Sequence, residues 1–215
     1  MITRILVVLN VLGFLWEIHA GGMGVLNGNI PSGTQIDQGL LAPNDVLINH
    51  QYYRIFTAAF LHGSIVHIGV NMLSLYWLGR FIELVLKPLR MTIVYFVSLV
   101  VSGFSIVYFS TPNIPTLGAS GAIFGLFGAL FAIGLKLGDR GRDLVRSNIG
   151  ILVLNLVFSF SFPGISWQAH IGGLIAGFAV TYLIFVPPRP VMTRVFDPAS
   201  GAEYESHVEM PHDRD

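Results

Sequence analysis

The sequence predicts an all-α polytopic membrane protein, a bundle of six transmembrane helices with a long structured first loop. Three observations carry this. Of the 215 residues, 53% are hydrophobic and 11% charged, where a soluble domain carries roughly 25% charged residues. The apolar residues gather into six runs, most of them long enough to cross a hydrocarbon core as helices. When the runs are counted as crossings, the basic residues fall almost entirely on one side. A chain of this length holds six such helices and little else. One membrane domain over 1–186 is therefore expected, followed by a polar cytoplasmic tail over 187–215 without fixed structure.

The first apolar segment covers roughly 2–18, between Arg4 and Glu17. It does not resemble a cleaved signal peptide, since Ala20-Gly21-Gly22 is a weak cleavage site. The loop 19–66 is rich in Gly and Pro, which mark turns. It also holds the apolar pieces Val46-Leu47-Ile48 and Ile55-Phe56. The aromatics Tyr52, Tyr53 and Phe56 are expected at the membrane interface, as part of an ordered loop. The second segment is expected over 67–86 and the third over 91–109, after Lys87-Pro88. The fourth covers 120–137. A charged loop, 138–146, leads into a short fifth segment over 148–162, closed by Pro163-Gly164. The sixth, 169–186, stops at Pro187, Pro188 and Pro190.

Orientation follows from charge. With the N-terminus in the cytoplasm, Arg54 alone of the twelve Lys and Arg residues lies outside, which leaves eleven on or near the cytoplasmic side. That is a strong positive-inside bias. Segments two, four and six then run from outside to inside. His67 and Asn71 fall in the first turns of segment two, Ser120 opens segment four and His170 opens segment six. All four sit at similar shallow depth, and His67 and Asn71, four apart, share a helix face.

Ser120 stands in Gly118-Ala119-Ser120-Gly121. Alone, it reads as a packing residue, because Gly121, Gly125 and Gly128 are spaced for close helix contact. His170 at matching depth changes that. A hydroxyl becomes a nucleophile when a base takes its proton, and an imidazole can be that base. Attack on an amide generates an oxyanion that needs donors. Asn71, His67 and the helix N-terminus at Ser120 can supply them. No acidic residue lies in segment four or six, so a Ser120–His170 dyad is inferred, without an orienting carboxylate. With no cysteine in the chain, disulfides, thiol nucleophiles and cysteine metal sites are excluded. No cofactor or metal is expected, and no basic run points to nucleic acid. A soluble α/β-hydrolase is excluded, since its Gly-x-Ser-x-Gly elbow follows a strand.

These motifs together resemble those of the rhomboid intramembrane serine proteases, of the compact six-span bacterial kind. The resemblance rests on Gly118-Ala119-Ser120-Gly121, on Ala169-His170-Ile171-Gly172-Gly173 with Gly177, and on His62, His67 and Asn71 in the family's spacing. Tyr53-Arg54 is similar to the family's Trp-Arg pair. Gly79 and Glu83 match part of its Gly-x-x-x-Glu-x-x-x-Gly motif, whose last Gly is Lys87 here. The resemblance implies a rhomboid-like bundle with Ser120 as nucleophile, His170 as general base, and His67 and Asn71 in the oxyanion hole. It also implies His62 as a structural neighbour, and Gly121, Gly125, Gly173 and Gly177 as the residues that let segments four and six approach. Phe124 stands where many members have Tyr; it can stack on His170 but offers no hydroxyl.

The implied activity is intramembrane endopeptidase cleavage of transmembrane protein substrates within the lipid bilayer. The implied location is a bacterial inner membrane, with both termini cytoplasmic. The alternative is a catalytically silent rhomboid-like protein that binds membrane clients, which predicts loss of Ser120 or His170. A transporter predicts mid-membrane charges and internal repeats, which are absent from the sequence. Arg54 is expected to brace the long loop through backbone carbonyls. Glu83 is either a solvated partner of Arg80 or a structural cap.

Overall fold

The computed structural model describes residues 1–161 and 164–188, and the backbone of 192–196 and 203–207. These divide into two compact units, Met1–Phe185 and Val186–Asp215. In the first unit, six helices of 18 to 22 residues correspond to the six apolar segments: α1 (Ile2–Gly21), α4 (Ile65–Leu86), α5 (Pro88–Phe109), α6 (Ser120–Leu137), α7 (Arg142–Ser161) and α8 (Trp167–Ile184). Two short helices, α2 (Pro43–Leu47) and α3 (Arg54–Thr57), lie in the first loop.

Among the described residues, five helical stretches are long and apolar enough to cross a membrane: α1, α4, α5, α8 and the 42-residue stretch Ser120–Ser161. That last stretch is about 63 Å of helix at about 1.5 Å per residue, roughly twice a hydrocarbon core of about 30 Å. It does not run straight. A 3₁₀ turn, Gly138–Gly141, separates α6 from α7. Gly134, late in α6, faces Val145 in the first turns of α7. Ser159, late in α7, reaches His170, which itself contacts Ser120 at the start of α6. The two helices are therefore antiparallel neighbours.

The sequence of α6 explains its place. Between Ser120 and Lys136 its residues are apolar or glycine on every side, so this stretch has no face suited to water. Every residue from Gly121 to Leu130 is buried. Helices α4, α5, α7 and α8 pack around it, and α1 packs on α4. Leu9, Leu12 and Leu15 on α1, Leu73 and Trp77 on α4, and Leu154 and Val157 on α7 point outward and exposed. An apolar exterior of this kind is what a lipid environment accepts.

Helix boundaries differ from expectation where capping outranks hydropathy. Helix α4 begins at Ile65 rather than 67, because Ser64 caps it and accepts from the His67 backbone N–H at 3.2 Å. Helix α5 begins at Pro88, whose fixed φ suits the first helical position. Helix α7 begins at Arg142, so its charged first turn, expected as loop, is helical. Helix α8 begins at Trp167 behind the cap Ser166 and ends at Ile184. Phe162, Pro163, Arg189, Pro190 and Arg214, used in the sequence argument, lie outside the described residues.

The described residues of the second unit form two antiparallel strands, β1 (Met192–Phe196) and β2 (Glu203–His207), with Met192 opposite His207 and Phe196 opposite Glu203. Val195, Phe196 and Tyr204 favour extended backbone, a propensity that the overall polarity of the segment hides.

The long first loop is folded, as expected. Val25, Ile36, Leu40 and Leu61 build a small core with Phe14 of α1 and Ile68 of α4. Arg54 is buried and donates to the carbonyls of Asp37 and Leu40, the latter at 2.7 Å. It braces the loop through backbone oxygens, as read from the sequence. Asp45 stands 3.7 Å from its Nε. At the other end of the bundle, Glu83 is only 2% exposed and accepts from the N–H groups of Ile2 at 2.8 Å and Thr3 at 3.1 Å. It caps α1 across two helices, which decides against a solvated pair with Arg80.

Lys87 joins α4 to α5 with φ 69° and ψ 160°. That region is essentially reserved for glycine and costs other residues roughly 1–3 kcal/mol. The motif glycine that Lys87 replaces would occupy it freely. Lys87→Gly is expected to stabilise the protein by about 1 kcal/mol, after the added flexibility of the unfolded chain is set against the strain removed. Thermal unfolding in detergent measures this. Lys87→Ala is the control, and an equal gain from alanine would trace the effect to charge rather than backbone.

Candidate active site

The backbone of the first loop sets the approach to Ser120. Leu41 and Thr116 exchange two backbone hydrogen bonds, at 3.0 and 2.8 Å, and the Gly118 N–H donates to Ala58 O at 2.8 Å. Gly118 then takes φ 120°, and a Cβ there would lie 2.8 Å from the His67 ring. Both the left-handed backbone and the ring beside it require glycine. The chain enters α6 two residues later, so Ser120 opens the helix at its positive end.

Helices α6 and α8 approach along a glycine seam. The carbonyl oxygens of Gly121 and Gly125 occupy the space where Cβ atoms on Gly173 and Gly177 would stand. Backbone-to-backbone packing at this range brings His170 to Ser120: Nε2 and Oγ are 2.8 Å apart. Ser120 and His170, expected at matching depth, are thus in hydrogen-bonding contact. His170 is 6% exposed, and Phe124 lies flat on its ring, with centroids 4.1 Å apart and planes 7° apart. The expected stacking is present.

His67 and Asn71 line the same cavity of about 420 Å³ as Ser120 and His170. The Asn71 Nδ2 donates to His67 O at 3.0 Å, one turn back. An amide nitrogen carries two hydrogens, so one remains for a group in the cavity. His62 is fully buried beside His67, with ring centroids 5.2 Å apart, edge to face. It lies in the loop before α4, and its backbone N–H donates to Glu17 Oε1 of α1 at 2.6 Å. Burial, with the neighbouring His67, pushes the His62 imidazole down to about 3. It is therefore a neutral packing group near neutral pH, behind the cavity rather than in it.

One contact was not foreseen from the sequence. Ser159 of α7 is 3% exposed, and its Oγ lies 2.6 Å from His170 Nδ1. The only sequence signal was a hydroxyl on an apolar segment. Its partner depends on how the short turn between α7 and α8 returns the chain. Among the described residues, no group of three or more His, Cys, Asp and Glu side chains converges as a metal set would.

The arrangement can remove a proton from a serine, present that serine at the wall of a cavity, and place amide and imidazole donors nearby. Similar proteins bear on what kind of molecule this is. The family model for the Rhomboid domain matches residues 49–187. The chain is similar to rhomboid protease GluP of Bacillus subtilis, with 32% identity over 67% of this chain and 28% of that protein. It is similar to inactive RHOMBOID-like protein 8 of Arabidopsis thaliana, with 31% identity over 66% of this chain and 40% of that protein. RHOMBOID-like protein 1 of the same plant is 29% identical over 74% of this chain and 41% of its own length. The chain thus spans less than half the length of each of these three relatives. The domain match covers more than half of the chain and includes His67, Asn71, Ser120 and His170; with its apolar-surfaced helices, this is an integral membrane protein that belongs to the rhomboid family.

Proposed function

We propose that this protein is an intramembrane serine endopeptidase that cleaves transmembrane segments of other membrane proteins through a Ser120–His170 dyad. The observation that carries this is the 2.8 Å contact between Ser120 Oγ and His170 Nε2 at the wall of a cavity inside an apolar bundle. Polar groups are costly in such surroundings and are retained mainly where they have work to do.

In the proposed reaction, His170 Nε2 takes the Ser120 proton as Oγ bonds to the scissile carbonyl carbon. The carbonyl electron pair moves to oxygen. The Ser120 backbone N–H, the second Asn71 amide hydrogen and a His67 ring N–H face that oxyanion. As the C–N bond breaks, the imidazolium returns its proton to the leaving amine. Water then attacks the Ser120 ester, with His170 again as base, and the acid product and free serine result. Substrates must expose a carbonyl, so a transmembrane helix has to unwind locally, and helix-weakening residues near the cut favour this.

A relative named as inactive keeps client binding without catalysis as the competing outcome. A fluorophosphonate probe separates the two without a known substrate. The purified protein is expected to be labelled, and Ser120→Ala and His170→Ala to abolish labelling. Folded wild-type protein that resists the probe would favour the silent alternative. Labelling that survives in Ser120→Ala would remove Ser120 as nucleophile.

The proposal includes six crossings with both termini cytoplasmic, supported by the eleven-to-one distribution of Lys and Arg. A reporter active only in the cytoplasm should be active at the C-terminus and silent when inserted in the first loop. The reverse pattern would overturn the topology.

Asn71 divides a structural role from a functional one by magnitude. Interhelical hydrogen bonds in membranes average about 0.6 kcal/mol, whereas losing one oxyanion donor costs roughly 10²–10³ in rate. Asn71→Ala is expected to melt close to wild type yet to cleave a transmembrane test substrate at least about tenfold more slowly. Unchanged turnover with a lower melting temperature would return Asn71 to packing.

A further inference from the structure

We infer that Ser159 is a positioning residue for His170: its hydroxyl holds the imidazole in the tautomer that leaves Nε2 free to accept the Ser120 proton. This rests on the proposed Ser120–His170 dyad and adds the group that orients its base.

The inference follows from counting hydrogens. Ser159 Oγ makes two contacts of 2.6 Å, one to Asn155 O and one to His170 Nδ1. A hydroxyl has one proton, and a backbone carbonyl can only accept. At 2.6 Å the proton must lie between Oγ and Asn155 O, since otherwise two oxygens would face each other with no hydrogen between them. Ser159 Oγ is therefore the acceptor for His170, and Nδ1 carries the hydrogen. In neutral imidazole that leaves Nε2 with a lone pair, directed at Ser120 Oγ 2.8 Å away. Three bonds then run in one direction, from Ser120 to His170 to Ser159 to Asn155 O, and each polarises the next. The opposite tautomer would present an N–H to Ser120 and could not take its proton.

In soluble serine proteases a buried carboxylate does this holding. Here the nearest ring partner is a hydroxyl that is 3% exposed on an apolar helix. An unpaired carboxylate in such surroundings would be costly. A hydroxyl whose own proton is already tied to its helix is neutral, and its oxygen is left able only to accept. The Phe124 ring fixes the plane of His170, and Ser159 fixes its rotation within that plane. Two helices thus orient the base, α6 by stacking and α7 by hydrogen bonding.

Nitrogen-15 NMR of histidine-labelled wild-type protein reads the tautomer directly, with the His170 signals assigned by their loss in His170→Ala. Expected is a proton on Nδ1 above the titration range; a proton on Nε2 overturns the inference with no variant needed. Kinetically, Ser159→Val and Ser159→Thr are matched in shape and differ in the hydroxyl. Threonine is expected to keep fluorophosphonate labelling within a few-fold of wild type. Valine is expected to lower the maximal labelling rate at least about tenfold, well inside the loss seen when a soluble triad's orienting group is altered. Its half-saturating probe concentration and melting temperature should stay close to those of the threonine variant. Valine labelling as fast as threonine would overturn the positioning role. Ser120→Ala in the same series keeps the two claims apart: if it still labels, the dyad itself fails; if it is silent while valine labels normally, only the role of Ser159 fails.

Discussion

The site depends on how closely two helices can approach without side chains between them. Gly121 and Gly125 on α6 present their carbonyl oxygens where Gly173 and Gly177 on α8 would otherwise carry Cβ atoms. In lipid there is no hydrophobic force to press helices together, because the tails are as apolar as leucine. Association rests on packing contact, and small residues maximise it. The seam lies directly beneath Ser120 and His170. A methyl group at Gly173 would meet the Gly121 backbone, and separating the helices by even part of an ångström would lengthen the contact between Ser120 and His170. Stability and the geometry of the site therefore share one constraint here.

Helix α6 is the shared wall of that arrangement. It is apolar on all sides, and four other long helices cover it, so its position is set from several directions. The first loop contributes the rest. Its backbone holds Thr116 and Gly118, and Arg54 locks the loop's own carbonyls. A mobile loop could not hold the backbone before Ser120 at one φ. This accounts for a buried arginine and a small separate hydrophobic core in a segment that crosses nothing. Glu83 acts likewise at the far end, tying α1 to α4 by supplying the acceptors that the first amides of α1 lack.

Local rules yield at Lys87 and at the buried polar side chains of apolar helices. Lys87 holds a backbone conformation suited to glycine, the one position where the Gly-x-x-x-Glu-x-x-x-Gly pattern is broken. It connects α4 to α5, so the packing of two long helices over-determines its angles. The second is the burial of hydroxyls and imidazoles on helices that are otherwise apolar. Ser102 on α5 returns its proton to a carbonyl of its own helix at 2.9 Å, which removes most of the cost of burial. Ser159 does the same with Asn155 O, but keeps a second contact outside its helix.

The sequence by itself determined the class of molecule, the six helical segments, and the four polar residues that meet at one end. These are legible because lipid imposes a strong filter. Apolar runs must be helices, basic residues sort by side, and a polar side chain in such a run is conspicuous. Ser120, His170, His67 and Asn71 could be placed at one depth by counting along helices, whereas the stacking of Phe124 on His170 was implied only by the resemblance to the rhomboid family. Depth is a single coordinate, however. Only the tertiary structure decided which helix faces meet, that the α6–α8 seam is tight enough for a 2.8 Å contact, and that Lys87 sits at positive φ. It also decided that His170 has a partner on α7. Ser159 is eleven residues from His170, across a turn whose path no periodicity records. Hydroxyls on membrane helices are common enough that nothing marked this one before its neighbour was known.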